Sequence, residues 1–125
     1  MTTYKDLVES MGKYAQSEYP LEACGLITKE FKFIPSKNLS NQPRTSFMVD
    51  PLLMLEYDGD IWGIFHSHPD SRHQEPSEAD MKHSILLSEL KFILGNQDKF
   101  YIYWYDKENK IKRSEMFNEN HCQYN

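Results

Sequence analysis

The hydrophobic pattern of the chain changes period several times. From the amino terminus, Tyr4, Leu7, Val8, Met11, Tyr14 and Ala15 recur at the three- and four-residue spacing of one helical face, Thr3 stands where an N-cap belongs, and Pro20 marks the exit. Short apolar runs between polar breaks follow. Ala23 to Thr28, Phe31 to Pro35, Ser46 to Asp50 and Ile61 to Phe65 read as strands, with the turn-rich stretch KNLSNQPRT between the second and third. Pro51 suits the first turn of a short helix because it needs no amide donor there, and Asp58-Gly59-Asp60 turns that helix into the fourth run. A second long helix is predicted from Ser77, with Met81, Ile85, Leu86, Leu90, Ile93 and Leu94 in the core and Gly95-Asn96 as its stop. Phe100 to Tyr105 and Ile111 to Phe117 favour two last strands, joined by a turn at Lys107 to Lys110. The tail 118–125 is polar and expected to be loosely held. The expected fold class is α/β, a curved mixed sheet flanked by the amino-terminal and Ser77 helices.

Composition narrows the possibilities. With 125 residues, eight Tyr and seven Phe, the chain can build a core as one domain, 1–125, and it shows no repeat, low-complexity stretch or linker. A net charge of -5 argues against a nucleic-acid footprint, which would need a basic face, so a protein partner is expected and the aromatic stripe at 100–105 reads as packing. Cys24 and Cys122 lack CxxC spacing, which indicates neither a zinc knuckle nor a disulfide scaffold; a bridge between them stays open, and a reducing cytoplasm is the default. MTTYKDLVES has no basic segment leading into an apolar core, and no apolar run approaches 18 residues, so neither secretion nor membrane spanning is expected.

The chemistry concentrates in IWGIFHSHPDSRHQEPSEAD, residues 61–80. Side chains alternate along a strand, so His66 and His68 at its end face one side and their imidazoles can converge on one ion. Asp80 follows twelve residues after His68, in the first turn of the Ser77 helix. Two nitrogens and one oxygen leave a fourth tetrahedral position for water, the arrangement of catalytic rather than structural zinc. The segment SEAD also fits a capping box, in which Asp80 would only cap the helix. His73 and Asp70 are weaker ligand candidates because they sit in the polar loop, and adjacent His121 and Cys122 lack partners. Glu22, at the start of the first strand, reads by itself as a solvated acid, and Cys24 as a small buried hydrophobe.

Taken together, Glu22-Ala23-Cys24-Gly25, HSHP and PSEAD resemble the JAMM motif of the Jab/MPN zinc metalloprotease family, and the resemblance extends to NQPRTSFMVDP. Within that family the wording is most similar to the amino-terminal domain of bacteriophage tail assembly proteins of the lambda tail-protein-K type. The resemblance implies a single MPN-like, cytidine-deaminase-like domain and one zinc held by His66, His68 and Asp80. It implies Glu22 as general base and acid, Ser77 as oxyanion donor, and hydrolysis of a peptide or isopeptide bond. It further implies a ubiquitin-like or phage tail protein as substrate, a separate NlpC-type cell-wall peptidase as companion, and a place in the host cytoplasm or the virion tail. The alternative is a non-catalytic MPN-fold assembly module of a tail tip, which would typically have lost ligands that this chain retains. A zinc nucleobase deaminase would need HxE together with PCxxC, a combination the chain lacks.

Overall fold

Thr3 caps the first helix with a complete capping box, its hydroxyl accepting the Asp6 N–H while the Asp6 carboxylate accepts the Thr3 N–H. The computed structural model describes residues 3–70, 75–95, 99–106, 108 and 110–116. In chain order the elements are α1 (Tyr4–Glu18), β1 (Cys24–Thr28), β2 (Phe33–Ser36), α2 (Pro51–Glu56), β3 (Ile61–Ser67), α3 (Glu78–Leu86), β4 (Lys91–Gly95), β5 (Phe100–Tyr105) and β6 (Ile111–Met116). The strands form one sheet in the order β2-β1-β3-β4-β5-β6, antiparallel everywhere except between β3 and β4. That is the mixed sheet flanked by helices that the patterning predicts.

Both faces of the sheet centre are covered. On one face Leu7, Met11 and Ala15 of α1 pack with Ile27, Phe65, Ile93 and Ile102. On the other, Leu26, Ile64, Phe92, Leu94 and Tyr103 meet Phe47, Val49, Leu53, Met54 and Leu87. Alternate residues of each central strand therefore enter different cores, which is why these strands read as unbroken apolar runs.

That double burial explains the largest correction. The expected long helix from Ser77 to Leu94 is two elements: α3 stops at Leu86, and Lys91–Gly95 is the central strand β4. A run as short as Phe92, Ile93 and Leu94 fits a helix face or a doubly buried strand equally well, and only its neighbours in space decide. Ile93 and Leu94 are indeed core, but Met81, Ile85 and Leu86 are 37%, 47% and 79% exposed, because α3 turns Asp80 and Ser84 inward instead. The Gly95-Asn96 stop fails as a helix end, since Gly95 closes β4 and Asn96 lies outside the described residues. Ser46 to Asp50 is not a strand either: the Met48 N–H goes to the Asn38 side chain and the Met48 carbonyl to the Leu39 N–H, so no ladder forms. The second strand begins at Phe33 because Phe31, with φ 63°, is spent in the preceding turn. His73, the tail 118–125, His121 and Cys122 lie outside the described residues.

Gly63 allows β3 and β4 to approach closely. A Cβ there would stand 2.6 Å from the Lys91 carbonyl oxygen, a backbone atom that cannot swing away. Gly63→Ala is expected to destabilise the fold by about 1–3 kcal/mol, measured by chemical denaturation, since the overpacking falls on the strand that carries His66.

Candidate metal centre

Strand register brings the chemistry together. Cys24 faces Ser36 across β1 and β2, and His66 across β1 and β3. Counting on by two in the β1–β3 pair sets Glu22 opposite His68, whereas the β1–β2 ladder ends at Cys24 and Ser36, and the Glu22 backbone bonds instead to the Pro43 carbonyl and the Asn38 side chain. Two bonds lock that end of the pairing: the Ser67 N–H donates to the Ala23 carbonyl at 2.9 Å, and the Ala23 N–H donates to Ser67 Oγ at 2.8 Å.

His66 is fully buried, with Phe47 stacked on its ring at 4.3 Å between centroids and 14° between planes. His68 is edge-on to it at 5.0 Å. From the first turn of α3, Asp80 Oδ2 reaches His66 Nε2 at 3.1 Å and His68 Nε2 at 3.2 Å. The same oxygen accepts the Ser77 N–H at 2.9 Å while Ser77 Oγ accepts the Asp80 N–H at 3.1 Å. The capping box and the contact with the histidines are thus one arrangement, in which the box aims the carboxylate. A ligand oxygen of Glu22 and a ring nitrogen from each of His66 and His68 lie within 4.8 Å of one another. The two imidazoles therefore serve two carboxylates, one from α3 and one from the start of β1. Asp70 is exposed.

Electrostatics prepares these groups unequally. Burial pulls His66 below the usual histidine range more strongly than its bond to Asp80 raises it, so the ring is neutral at pH 7. Burial alone would raise Asp80, but the hydrogen bonds from His66 and His68 and the Ser77 N–H outweigh it and hold the carboxyl far below its ordinary range. Burial pushes Glu22 up to about 7, with the Asp80 charge adding and His68 opposing. Neutral imidazoles and an ionised carboxylate are the forms a divalent ion requires. Ligands about 2.0–2.2 Å from a tetrahedral ion of zinc's size stand roughly 3.3–3.6 Å apart. The 3.1 and 3.2 Å separations around Asp80 Oδ2 fall just inside that edge, so a small outward shift admits the ion. His66 Nδ1, buried without a partner among the described residues, marks an imidazole whose placement packing and hydrogen bonding do not fully repay. The donor set fits a bound metal.

A family model, Prok-JAB, described as prokaryotic homologs of the JAB domain, matches residues 4–111. The chain belongs to this family. No curated protein matches it. Of the candidate residues read from the sequence, Glu22, His66, His68 and Asp80 lie together here, with Ser77 exposed on the helix cap. Burial pushes the Cys24 thiol up to about 12, so it is no nucleophile, in keeping with the hydrophobe read from sequence. Phe47 and Asn38 escaped that reading. Both lie in the irregular stretch between β2 and α2, where neither strand pairing nor helical period gives a sequence signal.

Proposed function

We propose that the chain is a zinc-dependent hydrolase of amide bonds in a protein substrate, of the JAMM type, with His66, His68 and Asp80 as the metal ligands. The observation that carries this reading is one carboxylate oxygen within 3.2 Å of both imidazole nitrogens, with a second, buried carboxyl, Glu22, in the same cluster. Zinc bound there would supply Lewis acidity toward a carbonyl and make water acidic enough to ionise near neutral pH. Glu22 does the proton work: its buried carboxyl, in the same cluster as the two imidazoles, takes the proton of the attacking water and returns it to the departing amine. Ser77 spends a lone pair on the Asp80 N–H, which leaves its hydroxyl hydrogen to donate toward a developing oxyanion. Phe47 and the Asp80 helix wall the buried side of His66 against water.

The family includes hydrolases and non-catalytic modules, and the retained site favours the first. Peptide or isopeptide cleavage, a ubiquitin-like or tail-protein substrate, a role in phage tail assembly, an NlpC-type companion and a setting in the host cytoplasm or virion rest on the motif resemblance alone. Among the described residues, no helix is long and apolar enough to cross a membrane. One observation favours an assembly module as the second reading: Leu52, Leu55 and Leu86 are 73%, 72% and 79% exposed. Incubation with a fusion of a ubiquitin-like protein through its carboxyl terminus tests the choice. Cleavage is expected to stop on chelation and return with one equivalent of zinc; a zinc-loaded chain that cleaves neither this fusion nor any candidate tail protein supports the module.

A further inference from the structure

Asn38 ties together more of this site than its place in an irregular segment suggests. Its amide nitrogen donates to the Glu22 carbonyl at 2.9 Å and the Ser46 carbonyl at 3.0 Å, with the Pro43 carbonyl at 3.5 Å. Its amide oxygen accepts the Ser40 and Met48 N–H groups, both at 3.0 Å. Donors and acceptors face this side chain from opposite sides, so the network itself fixes which end is nitrogen, and no other side chain of this size offers both. Pro43, held by the same amide, accepts the Glu22 N–H at 2.7 Å, so Glu22 is gripped at both of its backbone polar groups. On the far side, Met48 is the neighbour of Phe47, whose ring lies against His66.

We infer that Asn38 is a positioning residue for Glu22: its carboxamide clamps the Glu22 backbone to the 39–48 segment and so fixes the Glu22 carboxyl relative to the two imidazoles. The inference rests on the proposed metal-hydrolase reading and goes beyond it, since Asn38 touches neither the ion's ligands nor any reacting atom. Two variants separate its halves. Asn38→Asp keeps an oxygen for Ser40 and Met48 but has no donor for Glu22 and Ser46; Asn38→Ala removes both sides.

The test uses the whole chain, glutamate-labelled with carbon-13 at the side-chain carboxyl, titrated with Co²⁺ and read by NMR. In the parent, one carboxyl line that is missing from Glu22→Gln is displaced by the paramagnetic ion. In Asn38→Asp that line is expected to move back toward its metal-free position or broaden over several positions, while Co²⁺ affinity changes less than about 10-fold, the low end for residues that orient ligands. On any substrate the parent cleaves, kcat is expected to fall about 10-fold or more with KM little changed, and the same substitution in Glu22→Gln is expected to cost nothing further. A displaced Glu22 line left unchanged in both Asn38→Asp and a folded Asn38→Ala overturns the inference. A parent that takes up no Co²⁺, or shows no displaced Glu22 line, overturns the metal-site reading and the inference with it.

Discussion

Glu22→Gln is expected to keep its zinc and lose about 10²–10⁴-fold in kcat, the usual worth of a positioned general base. The amide is nearly isosteric with the carboxyl and takes no proton at neutral pH, so chemistry fails while the proposed ligands His66, His68 and Asp80 stand. Metal content by mass spectrometry alongside turnover checks both halves; a variant that retains zinc and cleaves at the parental rate removes Glu22 as the base, and one that loses zinc makes it a ligand. The metal-free protein carries a second signature. Burial raises the Glu22 carboxyl from 4.5 to about 7, so between those values the folded chain holds a proton that the unfolded chain has released. The stability this proton contributes is complete below pH 4.5 and is lost as pH climbs through about 7. At about 1.4 kcal/mol per pH unit the parent loses up to about 3 kcal/mol across this window. Glu22→Gln should flatten that slope and be the more stable protein at pH 8 after chelation, which urea denaturation at pH 5 and pH 8 measures.

What the sequence disclosed and what it hid follow from the range of the interactions involved. Elements with a local signal were legible: the Thr3 cap of α1, Pro51 opening α2, and the aromatic strand β5 are set by neighbours within a few residues. The gathering of His66, His68 and Asp80 was legible for a related reason, since the alternation of β3 and the SEAD box each fix a side chain by local rules, and β3 ends at the two histidines. β4 was not legible. Its residues are a strand only because β3 and β5 lie beside them and both faces are covered, a fact of tertiary structure that a run as short as Phe92, Ile93 and Leu94 does not encode. The same limit applies to 46–50, where the Asn38 side chain takes the hydrogen bond a strand partner would have taken. Glu22 stood between these cases. Its local signal was that of a solvated acid, yet it is 5% exposed, because the β1–β3 register carries it opposite His68.

Asp80→Asn separates the roles of the two carboxylates. Asp80 Oδ2 accepts from His66, His68 and the Ser77 N–H, and hydrogen bonds to a charged acceptor contribute about 1.5–3 kcal/mol each against about 0.5–1.5 for neutral ones. The amide keeps the shape and loses the charge, so the metal-free chain is expected to lose about 2–3 kcal/mol at pH 7, allowing for the sharing of three bonds by one oxygen. The pH dependence has the opposite sign from that of Glu22. Asp80 is held below its ordinary 3.8 by those bonds, so its contribution is present above 3.8 and lost as the pH falls further, and Asp80→Asn should erase that acid limb. Zinc affinity decides the remaining question. Replacing a residue that only orients a ligand costs about 10–100-fold, whereas a missing anionic ligand should exceed that range. A zinc titration in which Asp80→Asn falls by more than about 100-fold while Glu22→Gln binds as the parent assigns Asp80 to the ion and Glu22 to the proton; the reverse order would exchange the two roles.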